Sequence, residues 1–345
     1  MTFSKIAGRF LIIAAALAAV WLVTTIGVNR MSRNVVLEAL GPVAAMRSLE
    51  GDSLSVTIWN LGYAGLGAES DFSVDGGKNY LPPSRAVTAK NIAGISRELA
   101  ATNADVVLLQ ETARASLLTR GADSVAAAAT SLAGRDNAFS ADFATRLMPP
   151  PFAARHGLLS SVGVGGATRE IVMLPLEPQF ILGMTQRLYH LHVIRLPAPG
   201  GDWTVVDLHL SAFDEGANVR LEQLRAVLKF AQAEYAKGNR VVLGGDWNYE
   251  FHRPQRPTTT EEKYLFWVHP FPYDELPEGW SVAIDRDTPS VRTNERPYVK
   301  GENFTTVIDG FVLSPNVKAE SVKTRDLDFQ FSDHQPVDAR FVAVK

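Results

Sequence analysis

Val241-Val242-Leu243-Gly244-Gly245-Asp246-Trp247-Asn248 is the stretch that decides how this chain is read. A β-branched apolar run bounded by glycines is a buried strand that stops abruptly. The two glycines let a second backbone, or a ligand, come close where the strand ends. Asp246 and Asn248 follow two residues apart, so on extended chain both side chains point to one face. One is an anionic acceptor and the other carries an acceptor and a donor, a pairing suited to a hard cation beside a phosphate oxygen. Gly-Gly-Asp is also an ordinary turn sequence, and the stretches around it decide between the two.

Just upstream, residues 217–237 are expected to form the best helix in the chain. Leu221, Leu224, Leu228, Ala231 and Tyr235 share a face, and Gly238 stands at the C′ position. Before it, residues 203–211 alternate as a strand with His209 near the end. The same order occurs earlier: a strand over 54–60 delivers Asn60, a helix covers 84–102, and a buried strand over 104–111 closes on Glu111. A glutamate closing an apolar strand is expensive unless it is paired or coordinated, or lies exposed just past the end. Two strand–helix–strand units with polar strand ends suggest two sheets meeting at one rim.

Elsewhere, residues 34–52 read as a polar linker with some helical character and 62–77 as a long glycine-rich loop. Residues 121–170 carry little signal, and 186–196 read as a strand. Residues 251–300 are loop-dominated, and their aromatic cluster of Phe266, Trp267, Phe271, Tyr273 and Trp280 either packs locally or docks on lipid. Residues 305–314 form a strand interrupted by Asp309 and Gly310. Phe331-Ser332-Asp333-His334-Gln335-Pro336-Val337 then sets an Asp-His pair in a turn before a closing strand; in isolation such a histidine is simply solvated.

The 345 residues are 46% hydrophobic, ample for one large domain or two small ones. The absence of cysteine excludes disulfides and thiolate zinc sites. Residues 10–28 are uncharged, with Lys5 and Arg9 before them and Arg30 and Arg33 after. At roughly 1.5 Å per residue, a helix of that length just spans a ~30 Å hydrocarbon core. A retained anchor in residues 1–33 is the reading adopted, with a cleaved signal peptide as its rival. The short N-terminal tail favours the bulk of the chain lying outside the cytoplasm, and cleavage would make the protein secreted. Four of the 34 basic residues and none of the 37 acidic ones lie in 1–33, so the remainder is net −7. That is an unpromising surface for long nucleic acid.

Six stretches stand in order: Trp59-Asn60, Gln110-Glu111, His209-Leu210-Ser211, Gly245-Asp246-Trp247-Asn248, Ile308-Asp309-Gly310-Phe311 and Ser332-Asp333-His334-Gln335-Pro336-Val337. Together they resemble the endonuclease/exonuclease/phosphatase superfamily of deoxyribonuclease-like metal phosphoesterases. The resemblance runs from about residue 54 to the C-terminus. The runs Asp71-Phe72-Ser73-Val74-Asp75-Gly76-Gly77 and His209-Leu210-Ser211-Ala212-Phe213-Asp214 are similar to a bacterial branch. It implies an α/β fold, a four-layer αββα sandwich of two packed mixed β-sheets over residues 53–345, here preceded by one N-terminal transmembrane helix. It also implies Mg²⁺ or Mn²⁺ held by Glu111, with Asn60 and Asp333 beside it. Asp246 and Asn248 would orient the attacking water and the phosphate. His334, held by Asp309, would be the general base, and His209 would donate to a phosphate oxygen or the leaving group. One departure matters: where nuclease members often carry an acid two residues after the first asparagine, this chain has Gly62.

The expected activity is metal-dependent hydrolysis of a phosphodiester by in-line attack of water. Its alternatives are an endonuclease on DNA or RNA and a phospholipid or sphingolipid phosphodiesterase. The substrate is thus a phosphate ester: a lipid head group, a small phosphodiester or nucleic acid. The N-terminal helix implies a membrane partner, and no protein partner is implied. A catalytically inactive binding module of the same fold would lack at least one of Glu111, Asp246, His209 and His334, and all four are present.

Overall fold

The computed structural model describes residues 3–31, 34–49, 51–150, 152–178, 186–212 and 216–344. Arg33, Phe213 and Asp214, used in the readings above, lie outside the described residues. Helix α1 (Phe3–Met31) comes first, then strands β1 (Glu38–Leu40) and β2 (Ser53–Asn60), helix α2 (Arg85–Ala100) and strand β3 (Val106–Ala113). Helix α3 (Ser124–Ser131) precedes β4 (Asp136–Ala144), β5 (Arg155–Val162), β6 (Thr168–Met173), β7 (His190–Leu196) and β8 (Trp203–His209). Helix α4 (Asn218–Tyr235) leads into β9 (Arg240–Asp246). The chain closes with β10 (Ser281–Ala283), β11 (Val291–Arg292), β12 (Thr305–Thr306), β13 (Asp309–Leu313), β14 (Val317–Thr324) and β15 (Val337–Ala343).

Two mixed sheets result. One has seven strands in the order β1-β4-β5-β3-β2-β15-β14, the other six in the order β10-β13-β9-β8-β7-β6. Each holds one parallel βαβ unit. In the first, β2, α2 and β3 set Asn60 beside Gln110; in the second, β8, α4 and β9 set His209 beside Asp246. Alternation explains the layering. Leu54, Val56 and Ile58 of β2 turn inward with Val106 and Leu108 to meet Trp203, Val205, Val242 and Phe311 of the other sheet. Outward, Trp59, Val107 and Leu109 receive Ile95 and Leu99 of α2 and Val125 and Ala128 of α3. On the opposite flank, Leu224, Val227, Leu228 and Ala231 of α4 cover Val206, Leu208, Val241 and Leu243. This is the four-layer arrangement, with thin helical layers. Serine at 84 caps α2 by accepting from the Val87 N–H at 3.2 Å.

Several segments differ from their sequence reading. Residues 34–52 are not helical: β1 pairs with β4, Glu38 opposite Phe139, and Leu40 is buried against the outer core. Pairing there covers an edge that β4 would otherwise expose. The weakly patterned 121–170 region supplies α3, β4 and β5, whose short alanine-rich and mixed runs gain order only from packing. In 251–300, Phe271 is buried against Trp247 and Phe251, whereas Phe266 and Trp267 line a cleft. Within α1, an 18-residue window of Ala7–Met31 has mean hydropathy 2.4, and the helix is long and apolar enough to cross a membrane, consistent with a single transmembrane helix.

Beyond the apolar core, a buried polar knot also joins the sheets. Ser140 Oγ lies 2.5 Å from both His190 Nε2 and His192 Nε2. His190 Nδ1 faces the Leu188 carbonyl at 2.6 Å, so it carries the hydrogen and Nε2 accepts from the Ser140 hydroxyl. His192 Nε2 then donates to Ser140 Oγ, and its Nδ1 accepts from Ser160 Oγ at 3.2 Å. Each bond nets only about 1 kcal/mol, against about 1.5–3 kcal/mol for one fully buried aliphatic side chain. Adhesion therefore comes from the apolar core, and the knot selects the alignment.

In this pattern both rings are neutral, and an added proton must turn a serine hydroxyl hydrogen out of its bond. Burial lowers both histidines below their usual value, His192 strongly, with the neighbouring His190 adding to the effect. The unfolded chain takes up protons first, so this stability is complete above the ordinary histidine value of about 6.5 and is lost as pH falls below it, more through His192 than through His190. Urea denaturation of the wild type and of His192→Gln from pH 7.5 to 5.5 should show the wild type losing more stability as pH falls, since the other titrating groups are common to both. An unchanged slope in the variant would show that the knot does not control acid stability.

Candidate active site

Two indoles fix the rim on which the site is built. Trp59 and Trp247 are fully buried, and a buried indole N–H needs an acceptor. Trp59 Nε1 donates to the His334 carbonyl and Trp247 Nε1 to the Gly310 carbonyl, each at 3.0 Å. Each strand end is thereby pinned to one of the two segments that bring Asp309 and His334 together.

Asn60 closes β2 and Asp246 closes β9, and Asn60 Nδ2 donates to Asp246 Oδ2 across the sheets at 2.9 Å. The Gly62 N–H donates to Asn60 Oδ1 at 2.9 Å. Asp246 and Asn248 do not share an extended strand, contrary to the simple two-residue reading. Asn248 is left-handed (φ 52), and its N–H returns to Asp246 Oδ1 at 2.9 Å in an Asx-turn. Its Nδ2 donates to the Leu210 carbonyl at 2.8 Å. The turn, not the strand pleat, brings both side chains to the cleft. Gly245 has φ 144, and a Cβ there would lie 2.0 Å from the Leu208 carbonyl oxygen, so only glycine permits β8 and β9 to close at this point.

Glu111 does not terminate its strand. β3 continues to Ala113, and pairing with β5 slips between Leu109 and Thr112, with Glu111 at φ 50. This bulge interrupts the alternation and turns Glu111 out of the core into the cleft. Gln110 beside it stays buried and donates to Asp207 Oδ1 at 2.6 Å.

Asp309 sits on β13 directly opposite Asp246 on β9. His334 Nδ1 lies 2.9 Å from Asp309 Oδ2, and its Nε2 is 3.7 Å from Asp246 Oδ2. His209 Nε2 is 3.7 Å from the same Asp246 oxygen and 3.9 Å from Glu111 Oε1. Asp246 therefore stands between two imidazoles. Asp333 joins from the closing turn, bonded by Asn294 Nδ2 at 2.7 Å; the same amide reaches Asp75 Oδ2 at 3.1 Å. A cleft of about 90 Å³ is lined by Glu111, His209, Asp246, Asn248, Asp333 and His334, with Asn60 and Asp309 bonded directly behind. The structure thus brings all eight expected residues together.

The electrostatics are those of crowded, buried carboxylates. Burial pushes Glu111 up to about 8 despite the opposing Arg187 charge, and pushes Asp246 and Asp75 up to about 6. Burial alone would depress His334, but Asp309 and then Asp246 outweigh it and hold the ring well above its ordinary value. Burial, followed by the Arg187 charge, holds His209 well below. Oxygen donors gathered where negative charge is so poorly solvated fit a hard divalent cation. Donor atoms of Asp246, Asp309 and His334 also lie within 4.8 Å of one another. Their mutual bond at 2.9 Å occupies Asp309 and the ring, so the fit is better on the Glu111 side of the cleft.

The model for the Endonuclease/Exonuclease/phosphatase family matches residues 88–334. The chain belongs to that family. Members of the family are hydrolases of phosphoester bonds. Among solved structures, an endonuclease/exonuclease/phosphatase from Beutenbergia cavernae has a TM-score of 0.52 at 20% identity, covering 85% of this chain and 72% of its own. TDP2 of D. rerio, complexed with single strand DNA product, has a TM-score of 0.52 at 16% identity, covering 84% and 98%. A family protein from Leptotrichia buccalis has a TM-score of 0.52 at 12% identity, covering 83% and 98%. These likenesses show the fold. No curated protein sequence matches the chain.

Within this family frame, the structure adds residues that sequence reading missed. Asn294 and Ser290 come from the loop-dominated 251–300 region; Ser290 Oγ accepts the N–H groups of Ile308 and Asp309 at 3.1 and 3.0 Å. Arg292, buried between them, donates from one nitrogen to the carbonyls of Leu66, Gly67 and Ser70, and so ties that region to the early loop. Nothing in their local sequence marks them; only Asp75 lay in a run already singled out.

The departure at Gly62 has a steric reason. Its φ is +49, and a Cβ there would sit 2.5 Å from Asp333 Oδ1 and 3.1 Å from Ser332 Oγ. No acid fits at this position without displacing Asp333. Gly62→Ala should lower stability by about 1–3 kcal/mol through the left-handed backbone and this contact. An unchanged urea midpoint would show instead that the loop relaxes freely.

Proposed function

We infer that this chain is a divalent-metal-dependent phosphodiesterase, and the observation that carries the reading is the Asp309–His334 pair facing Asp246 across from Glu111. Family membership supports phosphoester hydrolysis in general. Glu111, with Asn60 and Asp333 beside it, would hold Mg²⁺ or Mn²⁺. When bound, the cation supplies positive charge that offsets the carboxylates and the charge gained by the phosphate.

The chain's own residues do the rest. Asp309 holds Nδ1 of His334, and Nε2 takes a proton from water once the ring has given up its resting proton, which rising pH favours. The Asp309 and Asp246 carboxylates favour the imidazolium so formed. Asp246 and Asn248 orient the water and the phosphate. The water oxygen bonds to phosphorus, the bond from phosphorus to the leaving oxygen breaks, and that oxygen departs as an alcohol after taking a proton from solvent, to which His334 returns its own. His209 Nε2 faces two carboxylates and so carries the ring hydrogen, which it offers to a phosphate oxygen or the leaving group.

The N-terminal helix is read as a retained anchor that keeps the catalytic domain at a membrane surface outside the cytoplasm, supported by its hydropathy and by exposed side chains such as Phe10, Ile12 and Leu17. Full-length protein should remain in the membrane fraction after alkaline carbonate extraction. Recovery of a mature chain without the first thirty-odd residues would show a cleaved signal.

Activity on bis-p-nitrophenyl phosphate with Mg²⁺ or Mn²⁺ tests the chemistry. His334→Ala should lower turnover roughly a thousandfold, and Asp309→Asn nearly as much, because the amide can select the wrong ring tautomer. The double variant should lose little more than His334→Ala alone. Glu111→Gln should recover part of its loss at high metal concentration. Fully additive losses in folded variants would reduce Asp309 to a structural strand residue, and unaltered metal dependence in Glu111→Gln would remove it from the ligand set.

A further inference from the structure

A second hollow adjoins the catalytic cleft. It measures about 510 Å³ against about 90 Å³ for the cleft, and Tyr63, Leu66 and Phe72 belong to both walls. Pro82, Leu118, Phe143 and Ala154 extend its apolar lining away from the cleft. Charged groups at its margin already have partners. His156 Nδ1 bonds Asp142 Oδ1 at 2.9 Å, Arg187 Nη2 bonds Asp142 Oδ2 at 2.7 Å, and Glu177 accepts from the Tyr189 hydroxyl at 2.9 Å. An occupant therefore meets mainly hydrocarbon and aromatic surface. A nucleobase, whose polar edges need partners, gains little there.

Phe143 and Ala154 stand on the hairpin of β4 and β5, and the tip of that hairpin touches helix α1. Trp21 Nε1 donates to the Leu147 carbonyl at 3.1 Å. Asn29 Nδ2 donates to the Arg146 carbonyl at 2.9 Å, and the Arg146 N–H donates back to Asn29 Oδ1 at 2.7 Å. Leu147 and Phe152 beside these contacts are 51% and 56% exposed, and Leu118 at the groove is 54% exposed. Single exposed leucines need no explanation. An apolar groove beside a hydrolytic cleft, on a hairpin whose tip carries exposed Leu147 and Phe152 against a helix of bilayer length, does.

We propose that the groove receives a hydrocarbon chain of a membrane phospholipid whose phosphodiester lies in the catalytic cleft. The proposal rests on the phosphodiesterase reading and adds the substrate class. Each buried methylene is worth about a fourfold change in affinity, so chain length is the property the groove reads.

The test uses full-length protein in an amphipathic polymer free of detergent, with Mn²⁺ and p-nitrophenyl phosphate diesters carrying a methyl, butyl or octyl chain. The ratio kcat/KM should rise at least tenfold from methyl to octyl, mainly through KM. Leu118→Asn should remove most of that rise while leaving the methyl diester unaffected. Vesicles of dioleoyl phosphatidylcholine and phosphatidylglycerol should be hydrolysed in preference to plasmid DNA. A flat chain-length profile, a rise untouched by Leu118→Asn, or cleavage of DNA with lipid left intact would overturn the groove assignment while leaving the phosphodiesterase standing. Failure to hydrolyse any diester would overturn that parent reading, and this one with it.

Discussion

The hydrogen bond from Asn60 Nδ2 to Asp246 Oδ2, at 2.9 Å, joins the ends of two strands that belong to different sheets, and the site is arranged around it. Asp246 must sit near Asp309, Glu111 and both imidazoles, yet like charges so close repel by several kcal/mol at the dielectric of a protein rim. Left to themselves, the carboxylates would separate. The inter-sheet core prevents this: Ile58, two residues before Asn60, and Val242, four before Asp246, are buried in one apolar cluster. Apolar adhesion thus holds a polar arrangement that is unfavourable by itself, and burial, with the neighbouring carboxylates adding to it, displaces Glu111 and Asp246 upward from their ordinary range.

Backbone strain gathers at the same rim. Tyr63, Glu111 and Asn248 all adopt positive φ, which disfavours side chains larger than glycine's. Each such residue costs of order 1 kcal/mol and persists only where its surroundings over-determine it. For Glu111 the surroundings are the paired strands on either side of a bulge, and for Asn248 they are its own bonds to Asp246 and Leu210. The conformations differ, but each takes a residue out of the regular alternation and aims it at the cleft.

One hairpin connects the outlying parts of the molecule. At the loop end of its ladder, His156 pairs with and stacks on Phe143, ring centroids 4.8 Å apart, and touches the Tyr63 ring at 5.0 Å. At its tip, Arg146 and Leu147 bond to α1. Only the Ala144–Arg155 pair of the ladder lies between these points. The contacts to the cleft and to the N-terminal helix thus come from the same end of the hairpin.

By itself, the sequence determined the strand–helix–strand units and three of the residues that end their strands, Asn60, His209 and Asp246. Both follow from local rules: buried strands are apolar runs, and an amphipathic helix such as α4 shows its face through Leu224, Leu228 and Ala231. Tertiary structure alone decided how those ends are presented. The bulge at Glu111 depends on β5, which is over forty residues away in sequence. Asn294 is important only because Asp75 and Asp333 fold to either side of it. The polar knot needs Ser140, Ser160, His190 and His192 from three strands in two sheets. Periodicity records which side of an element faces the core, because burial repeats along the chain. A hydrogen bond between distant side chains has no repeat, so it leaves no local pattern and exists only once the sheets have packed.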